Sequence, residues 1–212
     1  VEIPAMTARS DILDAIRVGR PAWDSPQTTL PAYRTSLDEP PEVLAALLAS
    51  RLADYGVAVL VEPTPSALPP LIARRLAESG IRHVVVPPGL PEVWMPPEAV
   101  VDTGAEAAGL DAAEGALTGC LLAVAESGTI VLDGTGACGR RALTLLPDYH
   151  LCVVLRSQIV GILPEAMPAL RDAVRRGPLT FISGPSATAD IELDRVQGVH
   201  GPRVLDVIIA AG

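Results

Sequence analysis

A single carboxylate, Glu126, stands at a glycine-containing turn between two apolar runs, in Ala125-Glu126-Ser127-Gly128-Thr129. If that turn faces a pocket, partial desolvation equips the carboxyl as a base or nucleophile; at an exposed hairpin tip it is a solvated charge. A second candidate is the loop Ser183-Gly184-Pro185-Ser186-Ala187-Thr188-Ala189-Asp190, which follows an apolar run. Its small hydroxyl residues and glycine bare oxygen-binding groups, and a helix starting behind them would add its positive end. Ser183, Gly184, Ser186, Thr188 and Asp190 therefore suit a carboxylate or phosphate oxygen, while Ser186 or Thr188 can equally be a plain helix cap. Arg140 and Arg141 stand in tandem behind the glycines of 134–139. Either can clamp an anion, but adjacent residues on an extended chain face opposite ways, so at most one does. His150 precedes a strong apolar run, and His200 lies in Gly198-Val199-His200-Gly201-Pro202. Both can serve as acid–base groups or as structural residues. Asp190 and Glu192 can hold Mg²⁺, although their spacing is not diagnostic.

These groups need a frame, and the periodicity supplies one. Thr7–Gly19 reads as a short amphipathic helix through Ile12, Leu13 and Ile16. The Pro-, Ser- and Thr-rich stretch Pro21–Pro41 reads as an extended arm that packs on the body or on a neighbouring subunit. Helices are expected at Pro41–Gly56 and Pro65–Gly80, each with proline at its start and glycine at its end. Strands are expected at Val57–Val61, Val84–Val86 and near Ala99–Asp102, and a brief helix at Gly109–Leu117. Leu121–Ala125 and Thr129–Leu132 read as a hairpin, followed by a short run at Arg141–Leu146. His150–Leu155 is a strong strand, and Gln158–Arg176 a helix shortened by Pro164 and Pro168. Leu179–Ile182 and Val204–Ile209 are buried strands. This alternation predicts an α/β fold, a mainly parallel sheet flanked by helices, with the chemistry in the crevice beyond the strands' carboxyl ends. The expected division is an N-terminal helix and arm over residues 1–40 and an α/β domain over 41–212.

Composition narrows the function. Of 212 residues 49% are hydrophobic and only 3% aromatic, so the core is aliphatic and stacking platforms for single-stranded nucleic acid are missing. A net charge of −9 repels phosphate backbones, which argues against a nucleic-acid partner. No segment has the apolar length that spans a bilayer and the start carries no signal-peptide pattern, so no membrane association and a cytoplasmic location are expected. Cys120, Cys138 and Cys152 are odd in number and form no Cys-x-x-Cys pair, so they read as buried thiols rather than disulfide or zinc ligands. The Walker ending and the Gly-x-Ser-x-Gly elbow are absent, and a Rossmann-type cofactor is not expected.

Four stretches resemble the LUD-domain family of lactate-utilization protein C-like chains. They are Ala123–Leu132, Arg140–His150, Thr180–Glu192 and Gly198–Arg203, in matching order and separation. One departure is Thr118-Gly119-Cys120-Leu121-Leu122, where the family often carries a Gly-Ala-aromatic segment. The resemblance implies a fold similar to the sugar-phosphate isomerase and CoA-transferase group. It also implies a role beside iron–sulfur partner proteins in oxidising L-lactate to pyruvate. The iron–sulfur clusters would sit on those partners, with no cofactor in this chain, which lacks the cysteine clusters to hold one. By fold analogy Glu126 matches the carboxylate of CoA-transferases. The leading expectation is thus a subunit that binds a small carboxylate or other anionic metabolite. A stand-alone transferase or ligase on an acyl, CoA or nucleotide substrate is the alternative, and a non-catalytic metabolite-binding regulatory module is a third.

Overall fold

Proline at the start and glycine at the end place two helices where the sequence asks for them. In α2 (Pro41–Asp54), Pro41 lies in the first turn, where its missing N–H is no loss, and Gly56 follows the end at φ +81. Leu44, Ala45, Leu48 and Leu52 bury one stripe. In α3 (Leu68–Glu78), the buried stripe is Leu68, Leu71, Ile72 and Leu76, and Gly80 closes the helix at φ +73. The computed structural model describes residues 8–19, 32–62, 64–104, 110, 113–185, 187–188, 196–197 and 201–211. Helix α1 (Ala8–Gly19) belongs to a unit spanning Val1–Tyr33 and buries none of its residues; Ile12, Leu13, Ile16 and Val18 are exposed. Everything below concerns the second unit, Arg34–Gly212.

Its strands are β1 (Ala58–Glu62), β2 (Val84–Val86), β3 (Val100–Val101), β4 (Gly115–Thr118), β5 (Leu122–Val124), β6 (Thr129–Leu132), β7 (Tyr149–Leu155), β8 (Ile159–Val160), β9 (Thr180–Ile182), β10 (Ala187–Thr188), β11 (Val196–Gln197) and β12 (Val204–Ala210). Among the described residues six of them form a sheet in the order β1-β12-β7-β4-β2-β3. Every pairing in it is parallel. A second, mixed sheet runs β8-β5-β6-β9, with β5–β6 and β6–β9 antiparallel and β5–β8 parallel. The fold is α/β, with parallel and antiparallel sheets flanked by helices.

Alternation sorts the large sheet's side chains onto two faces. Leu117, Leu151, Val153 and Ile208 pack on α3. Cys152, Val154, Val207 and Ile209 pack on α2 and on Ala123, Ile130 and Leu132 of the small sheet. Helix α4 (Leu163–Val174) covers the outer face of the small sheet through Ala166 and Leu170. One buried polar cluster fastens α3 to its face. Asp206, 1% exposed, accepts from the Tyr149 hydroxyl at 2.6 Å and from Arg75 Nε at 2.8 Å.

Several expectations are corrected here. Gly115–Thr118 is a strand, not the end of a helix: it fills the slot between β2 and β7, and all four residues are buried. Arg141–Thr144 winds into a 3₁₀ turn. The long helix begins at Leu163, because β8 intervenes and Pro164 is tolerated only in the first turn. Ala187–Thr188 pairs antiparallel with Val196–Gln197, so no helix starts at that point of the Ser183 loop and no helix end faces an anion from there. Among the described residues no helix is long and apolar enough to cross a membrane.

Candidate functional site

A cleft of about 310 Å³ gathers residues from four separate stretches of the sequence. The 3₁₀ turn supplies Arg141 and Thr144, the start of β7 supplies His150, and the end of β9 supplies Ser183 and Gly184; Leu145, Phe181 and Leu205 form an apolar wall. It opens at the amino ends of β7 and β12, where His150 pairs in register with Leu205. The expected crevice beyond the carboxyl ends of the parallel strands is therefore not where these residues meet. Ser183 follows a strand of the small mixed sheet, to which the parallel-sheet rule does not apply.

His150 is 1% exposed, and its Nε2 lies 2.8 Å from Thr118 Oγ1. Burial lowers its pKa to about 4, so the ring is neutral at pH 7. It offers a hydrogen bond and a proton-accepting nitrogen rather than a positive charge. Arg141 is exposed, its carbonyl accepts from Thr144 Oγ1 at 3.3 Å, and its guanidinium makes no hydrogen bond or ion pair to another described residue. Ser183 Oγ lies 2.9 Å from Thr129 Oγ1, which lies 2.8 Å from Ser127 Oγ. This row of hydroxyls joins the Glu126–Thr129 turn to the Ser183 loop. Gly184 sits at φ +132, and a Cβ there would stand 2.9 Å from the Tyr55 Cβ, so only glycine fits without a shift.

A second cleft, of about 400 Å³, shares Arg141, Thr144 and Thr180 with the first. Arg140, Arg176, Asp133 and Thr135 complete its polar lining. Arg140 is held by Asp102 through Nε at 2.7 Å and Nη2 at 3.0 Å, a two-pronged bond to a buried carboxylate. Arg176 donates to Asp133 Oδ2 at 3.1 Å, while the Thr135 amide donates to Oδ1 at 3.1 Å. Burial raises the Asp133 carboxyl, but these two donors outweigh it and hold it below the ordinary range.

Glu126 lines neither cleft. It is exposed in its turn and ion-paired with Arg34, while its amide donates to Gly161 O at 3.0 Å. Nearby, Glu165 accepts from the amides of Leu37, Gly161 and Ile162, which ties the segment after Arg34 to the start of α4. Ser186, Asp190 and His200 lie outside the described residues, as does the side chain of Thr188. The three cysteines are free and buried, and burial pushes the Cys138 thiol up to about 12. Among the described residues no three His, Cys, Asp or Glu side chains are grouped to hold a metal.

Asp102, Asp133, Thr144 and Arg176 were not legible as site residues. One signal was available. Gly134, Gly136 and Gly139 stand at the Gly-x-Gly-x-x-Gly spacing, although no Rossmann-type cofactor is expected, and all three have positive φ. The dinucleotide-binding context is missing: β6 pairs antiparallel on both sides, and only a 3₁₀ turn, Gly136–Cys138, follows it. Gly134 and Gly139 line the second cleft.

Residues 101–210 match the LUD domain family model, just over half of the 212-residue chain. Lactate utilization protein C of Deinococcus radiodurans is 50% identical over 132 residues, 60% of this chain and 62% of that protein. Lactate utilization protein C of Shouchella clausii is 40% identical over 85 residues, 38% of this chain and 37% of that protein. The chain thus matches less than two thirds of the length of these relatives. A crystal structure of a DUF162 family protein from Deinococcus radiodurans superposes with a TM-score of 0.70 at 38% identity, covering 81% of this chain and 99% of that one. The matched span contains Arg140, Arg141 and Arg176 together with His150 and Ser183, and on this agreement of sequence and fold the chain belongs to the LUD domain family.

Proposed function

We propose that this chain is the LUD-domain subunit of an L-lactate utilization system and binds a small carboxylate in the first cleft. The observation that carries the reading is the convergence of Arg141, neutral His150 and the Ser183-Gly184 turn on one cleft beside an apolar wall. A guanidinium with no ion-pair partner among the described residues can pair with a carboxylate, and the hydroxyl and imidazole supply directional hydrogen bonds. Leu145, Phe181 and Leu205 suit a short aliphatic body. Oxidation itself falls to iron–sulfur partner proteins, and this chain presents or retains the acid. The name of the matching relatives, lactate utilization protein C, supports that assignment. The large sheet's parallel order supports kinship with the sugar-phosphate isomerase and CoA-transferase group. In this reading residues 1–40 form an arm and 41–212 the LUD body. Ser186, Thr188, Asp190 and His200 stay among the residues proposed to bind the ligand.

Titration calorimetry with L-lactate, pyruvate and acetate tests the site. Arg141→Met should weaken the preferred acid at least tenfold, the loss of one charge-assisted hydrogen bond of about 1.5–3 kcal/mol. Equal affinity in wild type and variant removes Arg141 from the site. The cellular role is tested by deleting the gene: normal growth on L-lactate, with no iron–sulfur protein co-purifying, overturns it.

A further inference from the structure

We infer that the second cleft seats a phosphoryl group, so that the ligand of this face is an extended organic phosphate whose remainder reaches into the first cleft. Arg140, Arg141 and Arg176 all line the second cleft, against Asp133 as the acid among its lining residues. With Asp102 behind Arg140 also counted, three guanidinium groups stand against two carboxylates, an excess of one positive charge in a chain of net charge −9, which favours an anion. Asp133 is committed to the Thr135 amide and to Arg176, so its role is to hold a guanidinium in place. Asp102 does the same for Arg140 from a buried position behind the cleft. Two of the three planar forks are therefore set before a ligand arrives, which reduces the ordering that binding requires. Such forks match phosphate oxygens in pairs.

The rest of the lining agrees with this chemistry. Thr135 and Thr180 bring hydroxyls. The glycines at 134, 136 and 139 bend the backbone through positive φ, the conformation in which a loop can approach an anion closely. Size is the second argument. Clefts of about 310 and 400 Å³ each reach the range that holds drug-sized ligands, about 300–1,000 Å³, and a three-carbon acid fills neither. Because Arg141, Thr144 and Thr180 border both, one molecule can lie across them with its phosphoryl end among the arginines and its acyl or carboxyl end near His150 and Ser183. The carboxylate end rests on the function proposed above; the phosphoryl end stands on the arginine cleft alone.

Calorimetry with the purified chain separates the two ends, using L-lactate, inorganic phosphate, 2-phospho-L-lactate and AMP as probes. The phosphate ester should bind at least tenfold more tightly than L-lactate and than inorganic phosphate. Arg176→Met should abolish that advantage and leave L-lactate affinity unchanged. AMP binding that is lost in the same variant also supports the phosphoryl seat and assigns it to a nucleotide. If Arg176→Met does not fold, Thr135→Val, at a residue that lines the second cleft and not the first, is held to the same criterion, with a loss of at least threefold. An ester that binds no better than L-lactate or inorganic phosphate overturns the inference, and so does an ester whose affinity is the same in both variants as in wild type. Ester binding without L-lactate binding keeps the phosphoryl seat and removes the carboxylate reading.

Discussion

Replacing His150 with glutamine should flatten the protein's stability between pH 7 and pH 5. The imidazole is 1% exposed, and burial lowers its pKa from 6.5 to about 4. In this window the unfolded chain takes up a proton that the folded chain refuses, so stability falls as pH falls. Linkage between those two pKa values gives a loss of about 2 kcal/mol from pH 7 to pH 5, most of it below pH 6.5. Carboxylates do not mimic the effect. Asp133 and Glu165 are held below their ordinary values of 3.8 and 4.5, so the stability they add is present above those values and is lost only as pH falls further. Urea unfolding at pH 7, 6 and 5 reads the difference directly. The wild-type midpoint should drop steadily while that of His150→Gln stays nearly level, after allowance for its lower starting point. The same pH slope in both proteins would refute a buried neutral histidine at the base of the cleft.

Asp206→Ala should destabilise the fold by about 3 kcal/mol in urea unfolding at pH 7, because it takes the acceptor from the Tyr149 hydroxyl and leaves the Arg75 guanidinium, only 23% exposed, with the longer 3.4 Å bond to Glu78. Asp206→Asn, which keeps one acceptor, should lose less; a change under about 1 kcal/mol in the alanine variant would mean that this cluster contributes little. Gly89→Ala would place a Cβ 2.5 Å from the backbone carbon of Gly136, so the glycine loop must move. A thermal melt should show a loss of about 1–3 kcal/mol, with weakened phosphate-ester binding, and an unchanged melt would contradict the close approach.

Local chemistry made much of the frame legible. Proline-to-glycine spacing located α2 and α3, and the Glu126-Ser127-Gly128 tip located the β5–β6 hairpin. Strand β4 was not legible. Gly115-Ala116-Leu117-Thr118 has weak strand propensity, and it is a strand because β2 and β7 hydrogen-bond to it from both sides. The site divides the same way. Turn residues and tandem arginines drew attention to Arg141 and Ser183 without any contact being known. Their partners lie far off in sequence: Thr129 meets Ser183 across 54 positions, and Asp102 meets Arg140 across 38. Asp102 and Asp133 carried no mark at all, since an acid after an apolar run reads as a surface turn until its burial is known. Glu126 did carry a mark, but its partner is Arg34, and the pair lies away from both clefts.

The side of the sheet on which the first cleft opens explains why the proposed anion site draws on arginine. In a parallel α/β sheet the helices return so that their amino ends lie near the strands' carboxyl ends, and anions bind there partly on backbone N–H groups and the helix dipole. Here the cleft lies at the amino ends of β7 and β12, the side toward which α2 and α3 run before β1 and β2 begin. That side carries helix carboxyl ends, with partial negative charge, so the backbone offers an anion no dipole there. Positive charge has to come from side chains. Arg141 sits on the border of both clefts, Arg140 is steadied by Asp102, and Arg176 follows the last turn of α4 and is steadied by Asp133. The buried carboxylates thus do for the guanidinium groups what a helix end does for backbone amides elsewhere: they fix the donors in place ahead of the proposed anion.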